Sequence, residues 1–154
     1  FVLVGPSMLA QERIDMERDP VLVSLQSRCD QFLEDLSLGE TERSFDKLLA
    51  NSPLNNDKAN IKTLADKADL LESKYGKCRA FEQVDVNRIG KDVVLLKSLY
   101  KCEDHPVVWY FTYYRDFRPS DGVTDSNDWI VIAVRFDTDL ELLGVMTGSN
   151  GDTM

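Results

Sequence analysis

One change of rhythm constrains this chain more than anything else in it. Up to Tyr75 its apolar residues recur at steps of three and four, and from Lys77 onward they alternate. The first spacing is that of a helix burying one stripe; the second is that of a strand with two unlike faces. Helices first and strands afterwards, with no return to the helical period, predict an α+β domain whose helices cover one face of an antiparallel sheet.

The helical half divides at its capping and breaking residues. Asp19-Pro20 opens a first helix, with Leu22, Leu25, Cys29, Phe32, Leu33 and Leu36 on its buried stripe and Gly39 at its end. A short helix near Thr41 to Ala50 turns Phe45, Leu48 and Leu49 inward, and Asn51-Ser52-Pro53 breaks it. A third is expected from about Asn56 to Tyr75, with the stripe Ile61, Leu64, Ala65, Ala68, Leu71 and Tyr75 and a cap at Gly76.

Four strands follow, over Cys78–Asn87, Asp92–Cys102, Val107–Arg115 and Trp129–Asp137. A hairpin centred on Gly90 places Cys78 opposite Cys102, Ala80 opposite Tyr100, Val84 opposite Leu96 and Val86 opposite Val94. A second turn at Glu103 to Pro106 pairs Tyr100 with Trp109, Ser98 with Phe111 and Leu96 with Tyr113. The same parity adds Ile130, Ile132, Val134 and Phe136, so one face is almost wholly apolar. The opposite face mixes Leu95, Leu99, Val108, Tyr110, Tyr114 and Trp129 with Asp85, Lys97, Lys101 and Arg135. Burying that mixture in a symmetric homodimer is its simplest use. Cysteines opposed across a hairpin can be bridged, so Cys78 and Cys102 are a candidate disulfide, while Cys29 belongs to a helix stripe.

Composition removes several classes. The 154 residues suit one domain, and 43% of them are hydrophobic, ordinary for a folded chain. A net charge of −9 opposes general nucleic-acid binding. No apolar run reaches the roughly 20 residues that span a bilayer. The stretch from Phe1 to Ala10 reads as the back half of a secretory signal, or as an apolar arm; residues 1–18 are set apart from a domain over 19–146 and a polar tail over 147–154. A periplasmic or secreted address follows from the signal reading, a cytoplasmic one from the arm.

Motifs that carry chemistry are sparse. His105 is the one histidine, in a turn between Asp104 and Pro106, and no Cys-x-x-Cys pair exists, so no metal site is expected. Asp116, Asp121, Asp125 and Asp128 do not fit a calcium loop. Phosphate-loop, dinucleotide and serine-hydrolase patterns are absent, and no cofactor is expected.

Four short segments carry a resemblance: Lys74-Tyr75-Gly76 after a long helix, Arg88-Ile89-Gly90 before a Val/Leu strand, His105-Pro106-Val107-Val108-Trp109 into an aromatic strand, and Arg135-Phe136-Asp137-Thr138-Asp139-Leu140 closing the last. With them, the chain from about Leu36 to Leu143 resembles the nuclear-transport-factor-2-like superfamily of cystatin-like folds, and within it small exported bacterial proteins of unassigned function. The resemblance implies a cone with a pocket between helices and sheet, often dimeric through the sheet. Tyr100, Trp109, Phe111, Tyr113 and Phe136 would line that pocket, with a small apolar molecule as the candidate ligand. The expected function is a non-catalytic exported module for ligand binding or protein interaction. The alternative is a small isomerase- or dehydratase-type enzyme using Glu82 with Tyr100 or Tyr113, the one acid–base set the covered face offers.

Overall fold

A computed structural model describes residues 19–115 and 128–140. The N-terminal stretch, most of the Asp-rich connection and the polar tail lie outside the described residues. Helix α1 spans Pro20–Ser37, α2 Thr41–Leu48, α3 Lys58–Asp69 and α4 Leu71–Tyr75, with a 3₁₀ turn at Pro53–Asn56. Strands β1 (Cys78–Ile89), β2 (Val93–Cys102), β3 (Pro106–Arg115) and β4 (Trp129–Asp137) form one antiparallel sheet in that order. The class is α+β, with the helices N-terminal to the strands. No helix among the described residues is long and apolar enough to cross a membrane.

Local chemistry explains the helix ends. The Asp19 carboxylate accepts from the Val21 amide at 3.0 Å, and Pro20 occupies the first turn, where its missing donor costs nothing. The expected single helix over 56–75 is in fact two helices, preceded by the 3₁₀ turn. Asp57 caps α3 by accepting from the Asn60 amide at 3.2 Å. At Leu70 the hydrogen bonding tightens to an i→i+3 bond, Leu70 to the Lys67 carbonyl at 3.3 Å, and the ladder restarts. That break leaves Leu70 in solvent and turns Leu71 into the core.

The covered face is packed with rings. Phe32 of α1 meets Phe45, Trp109 and Phe111 edge-on at centroid distances of 5.0, 5.1 and 5.6 Å, and Trp109 contacts Phe136 at 4.8 Å. Leu25, Leu33, Leu49, Val94, Leu96, Val107, Tyr113 and Val131 complete the fully buried set around them.

Three bulges correct the sheet register. Cys78 pairs with Cys102 as expected, but one extra residue between Cys78 and Ala80 and another between Gln83 and Asp85 shift every later pair. Phe81, Gln83 and Val86 therefore face Tyr100, Ser98 and Leu96, whereas Ala80 pairs with Lys101 and Glu82 with Leu99 on the opposite face. Val84, the extra residue of the second bulge, is exposed. The turn is Gly90 to Asp92, with Gly90 at φ 61°. Between β2 and β3 each partner is displaced by two residues, so Tyr100 faces Val107 and Ser98 faces Trp109; an even shift keeps every side chain on its expected face. A third bulge, opposite Thr112 and Tyr113, reverses the first half of β4. Trp129 and Val131 enter the core in place of Ile130 and Ile132, and Ile132 is exposed.

Candidate functional site

The bulges decide where the candidate acid–base set goes. Glu82 lies on the outer face of the sheet, half exposed, with its carboxylate 3.3 Å from Lys101 Nζ. Tyr100 and Tyr113 are on the covered face and buried. Glu82 is thus not brought together with either tyrosine. The residue beside Ser98 is Gln83, an amide that cannot serve as a general acid or base.

Each tyrosine is accounted for by packing. Burial, with the Glu72 charge adding to it, pushes the Tyr100 hydroxyl up to about 12. Tyr113 is raised well above its ordinary value, first by burial and then by Cys29, whose Sγ lies 3.4 Å from the Tyr113 hydroxyl. Burial likewise raises the Cys29 thiol to about 12, so at neutral pH it is a protonated core group rather than a nucleophile. Trp109 and Phe111, expected to line a pocket, are fully buried against Phe32, and Phe136 is packed on Trp109. Tyr100, Trp109, Phe111 and Tyr113 belong to the packed core, and Phe136 lies against it.

The remaining candidates have structural surroundings. His105 Nε2 is 2.9 Å from the Thr138 carbonyl oxygen, and its ring lies 5.6 Å from that of Tyr75. A disulfide joins Cys78 to Cys102, closing the open end of the first hairpin. Among the described residues no three His, Cys, Asp or Glu side chains gather as a metal ion would require.

A concavity among the described residues lies between α1 and α2. It is a cleft of about 100 Å³ lined by Arg28, Gln31, Phe32, Asp35, Ser44, Lys47 and Leu48. Phe32 and Leu48 belong to the apolar core beneath it. Asp35 is a carboxylate with only 4% of its surface exposed. Gln31 Nε2 donates to its Oδ1 at 3.0 Å and Lys47 Nζ to its Oδ2 at 3.1 Å. Burial alone would raise this carboxyl; the hydrogen bonds from Lys47 and Gln31 outweigh it and hold the group below its ordinary value. Arg28 donates from Nη1 to the Trp129 carbonyl at 2.7 Å, and its guanidinium lies 5.0 Å from the Tyr113 ring centroid. A broader, more open depression of about 680 Å³ runs along the outer side of α2, lined by Gly39, Glu40, Arg43, Asp46, Lys47 and Ala50 among others.

Sequence reasoning missed this cleft. Its signal is the charged pair Arg28 and Asp35, seven residues apart on α1, each beside the stripe residues Cys29 and Leu36. Polar residues bordering a buried stripe at helical spacing mark where one helix meets another across a wet seam.

No family model matches the chain, and neither does any curated protein or solved structure.

Proposed function

We propose that this chain is a non-catalytic module that works through its surface, exported to an oxidising compartment and paired with a second copy through the outer face of its sheet. The supporting observation is the filled interior. Phe32, Phe45, Trp109, Phe111 and Tyr113 are buried together between helices and sheet, with no carboxylate of the covered sheet face among them, which supports a packing role for these rings. The Cys78–Cys102 disulfide favours an oxidising address. On the outer face Val93, Leu95, Leu99 and Tyr114 are half-buried, while Val84 and Ile132 at the bulges are exposed, a mixture that a second copy would cover.

Thermal melts across a library of small apolar molecules test the central reading. No stabilisation is expected. A compound that raises Tm, and loses that effect when Trp109 is changed to Phe, would overturn it by revealing an interior site. Sedimentation equilibrium tests the pairing: a dimer is expected at high micromolar concentration, and a monomer there would remove the second copy.

A further inference from the structure

We propose that the cleft between α1 and α2 binds a small oxyanion, of carboxylate or phosphate size, through Arg28 and Lys47. Size sets the first limit. Water occupies about 30 Å³ per molecule in the liquid. A cleft of about 100 Å³ has room for a group of acetate or phosphate size.

Hydrogen-bonding capacity sets the sign of the charge. Asp35 is the carboxylate lining the cleft, and both of its oxygens are engaged, one by Gln31 and one by Lys47. Ser44 has given its hydroxyl proton to the Thr41 carbonyl at 2.6 Å and keeps only lone pairs. Against these, Arg28 has five N–H donors and uses one on the Trp129 carbonyl; it has no ion-pair partner among the described residues. Lys47 has three donors and uses one on Asp35. The cleft thus presents two cations against one anion already paired, with unspent donors on both cations. In a chain of net charge −9 this is a local reversal of sign.

The setting strengthens the attraction. Phe32 and Leu48 exclude water from the inner wall, and charge-assisted hydrogen bonds gain strength where the local dielectric is low. The Arg28 guanidinium is held by the Trp129 carbonyl and the face of the Tyr113 ring, so little side-chain freedom is lost when an anion arrives. Asp35, itself fixed by Gln31, holds Lys47. The arrangement suits either a free anion or the terminal carboxylate of a larger molecule, since the recognised chemistry is the same.

Titration followed by amide and side-chain NMR, with sodium phosphate and sodium acetate against sodium chloride at matched ionic strength, tests this. Saturable shifts centred on Arg28, Gln31 and Ser44 are expected with either oxyanion and not with chloride. N-acetylglycine against N-acetylglycinamide separates the sources: binding of the acid as tight as acetate or tighter admits a terminal carboxylate, and binding of acetate alone restricts the cleft to free anions. Lys47→Gln should weaken binding about tenfold or more, the worth of one charge-assisted hydrogen bond. Lys47→Arg should keep most of the affinity, and Lys62→Gln, whose partner is Asp66 on α3, should keep all of it. The proposal fails if no oxyanion gives a saturable response, or if Lys47→Gln binds as the unmodified chain does. Either result leaves the filled interior, and the apolar-library test, untouched.

Discussion

Lys47 reaches from α2 to hold the buried carboxylate of Asp35 at 3.1 Å, the one ion pair joining the first two helices among the described residues. It ties stability to pH in a definite direction. The Asp35 carboxyl is held below its ordinary 3.8, so the folded state gives up this proton more readily than the unfolded chain does. The stabilisation is complete above about pH 4 and disappears as pH falls through the lowered folded value. Lys47→Gln leaves the carboxylate buried with the Gln31 amide donating to it and no cation beside it. The variant should lose about 1–3 kcal/mol at neutral pH. Its acid unfolding midpoint should also move to higher pH, measured by urea denaturation from pH 2 to 7.

At the alkaline end the controlling group is Cys29. Its folded value near 12 lies above its ordinary 9.0, so the folded state keeps a proton that the unfolded chain loses. Stability should therefore fall as pH rises from about 9 toward 12, by about 1.4 kcal/mol per pH unit from this thiol. Tyr100 and Tyr113, also raised, join above their ordinary 10.0. Cys29→Ala should flatten the profile between pH 9 and 10 while the tyrosine-driven fall above it persists. The folded thiol should also resist iodoacetamide at pH 8 and react once urea unfolds the chain.

Glu82 is an exposed partner of Lys101 rather than a group in the interior. Glu82→Gln should shift stability by less than about 1 kcal/mol, the range of an exposed pair. Gln83, its neighbour, has Oε1 buried without a hydrogen-bond partner. Gln83→Leu removes that unsatisfied acceptor and should be neutral or stabilising by about 1 kcal/mol. Paired urea melts would show the asymmetry, and a large loss in Glu82→Gln would mean that the Glu82–Lys101 pair carries more stability than an exposed pair does.

How far the sequence could be read turns on these same neighbours. Periodicity placed α1, α2 and all four strands because each buries one continuous face, and a period survives errors of a residue or two at its ends. Sidedness failed at Ala80, Glu82, Val84, Ile130 and Ile132, all of them beside a bulge. A single extra residue reverses every side chain beyond it, and at these bulges no Gly or Pro marks the insertion. The Cys78–Cys102 pairing came out the same because two insertions in β1 offset a turn centred one residue later than Gly90. The cleft was invisible for another reason: Arg28 and Lys47 lie on different helices, and no spacing along one helix reveals how two of them meet.

The disulfide ties residues separated by 24 positions. Closing a loop of that size in the unfolded chain removes entropy worth about 3.5 kcal/mol at 25 °C. Reduction, or the Cys78→Ser/Cys102→Ser double variant, should lower stability by about 2–4 kcal/mol while the helix and strand content stays native by circular dichroism. Denaturation curves with and without reductant measure it. The double variant itself should be indifferent to reductant, which separates the loss of this bond from any general effect of the reagent.

Gly76 joins the helical layer to the sheet. Its φ of 81° and ψ of 177° belong to a region open essentially to glycine alone. The backbone is held there on both sides: the Asp104 amide donates to the Tyr75 carbonyl at 2.8 Å and the Glu103 amide to the Lys77 carbonyl at 3.2 Å. A Cβ at this position would stand 2.8 Å from Glu103 Cβ, closer than the two atoms can sit. Gly76→Ala therefore meets two separate obstacles, backbone strain and a collision with the turn that pins it. The substitution should cost about 1–3 kcal/mol from strain alone, and more with the collision. Placing it in a Glu103→Gly background removes the colliding Cβ and leaves the strain. The double-variant cycle should show the penalty of Gly76→Ala reduced there but not abolished. An unchanged penalty would assign the whole effect to backbone conformation, and its disappearance would assign it to the contact.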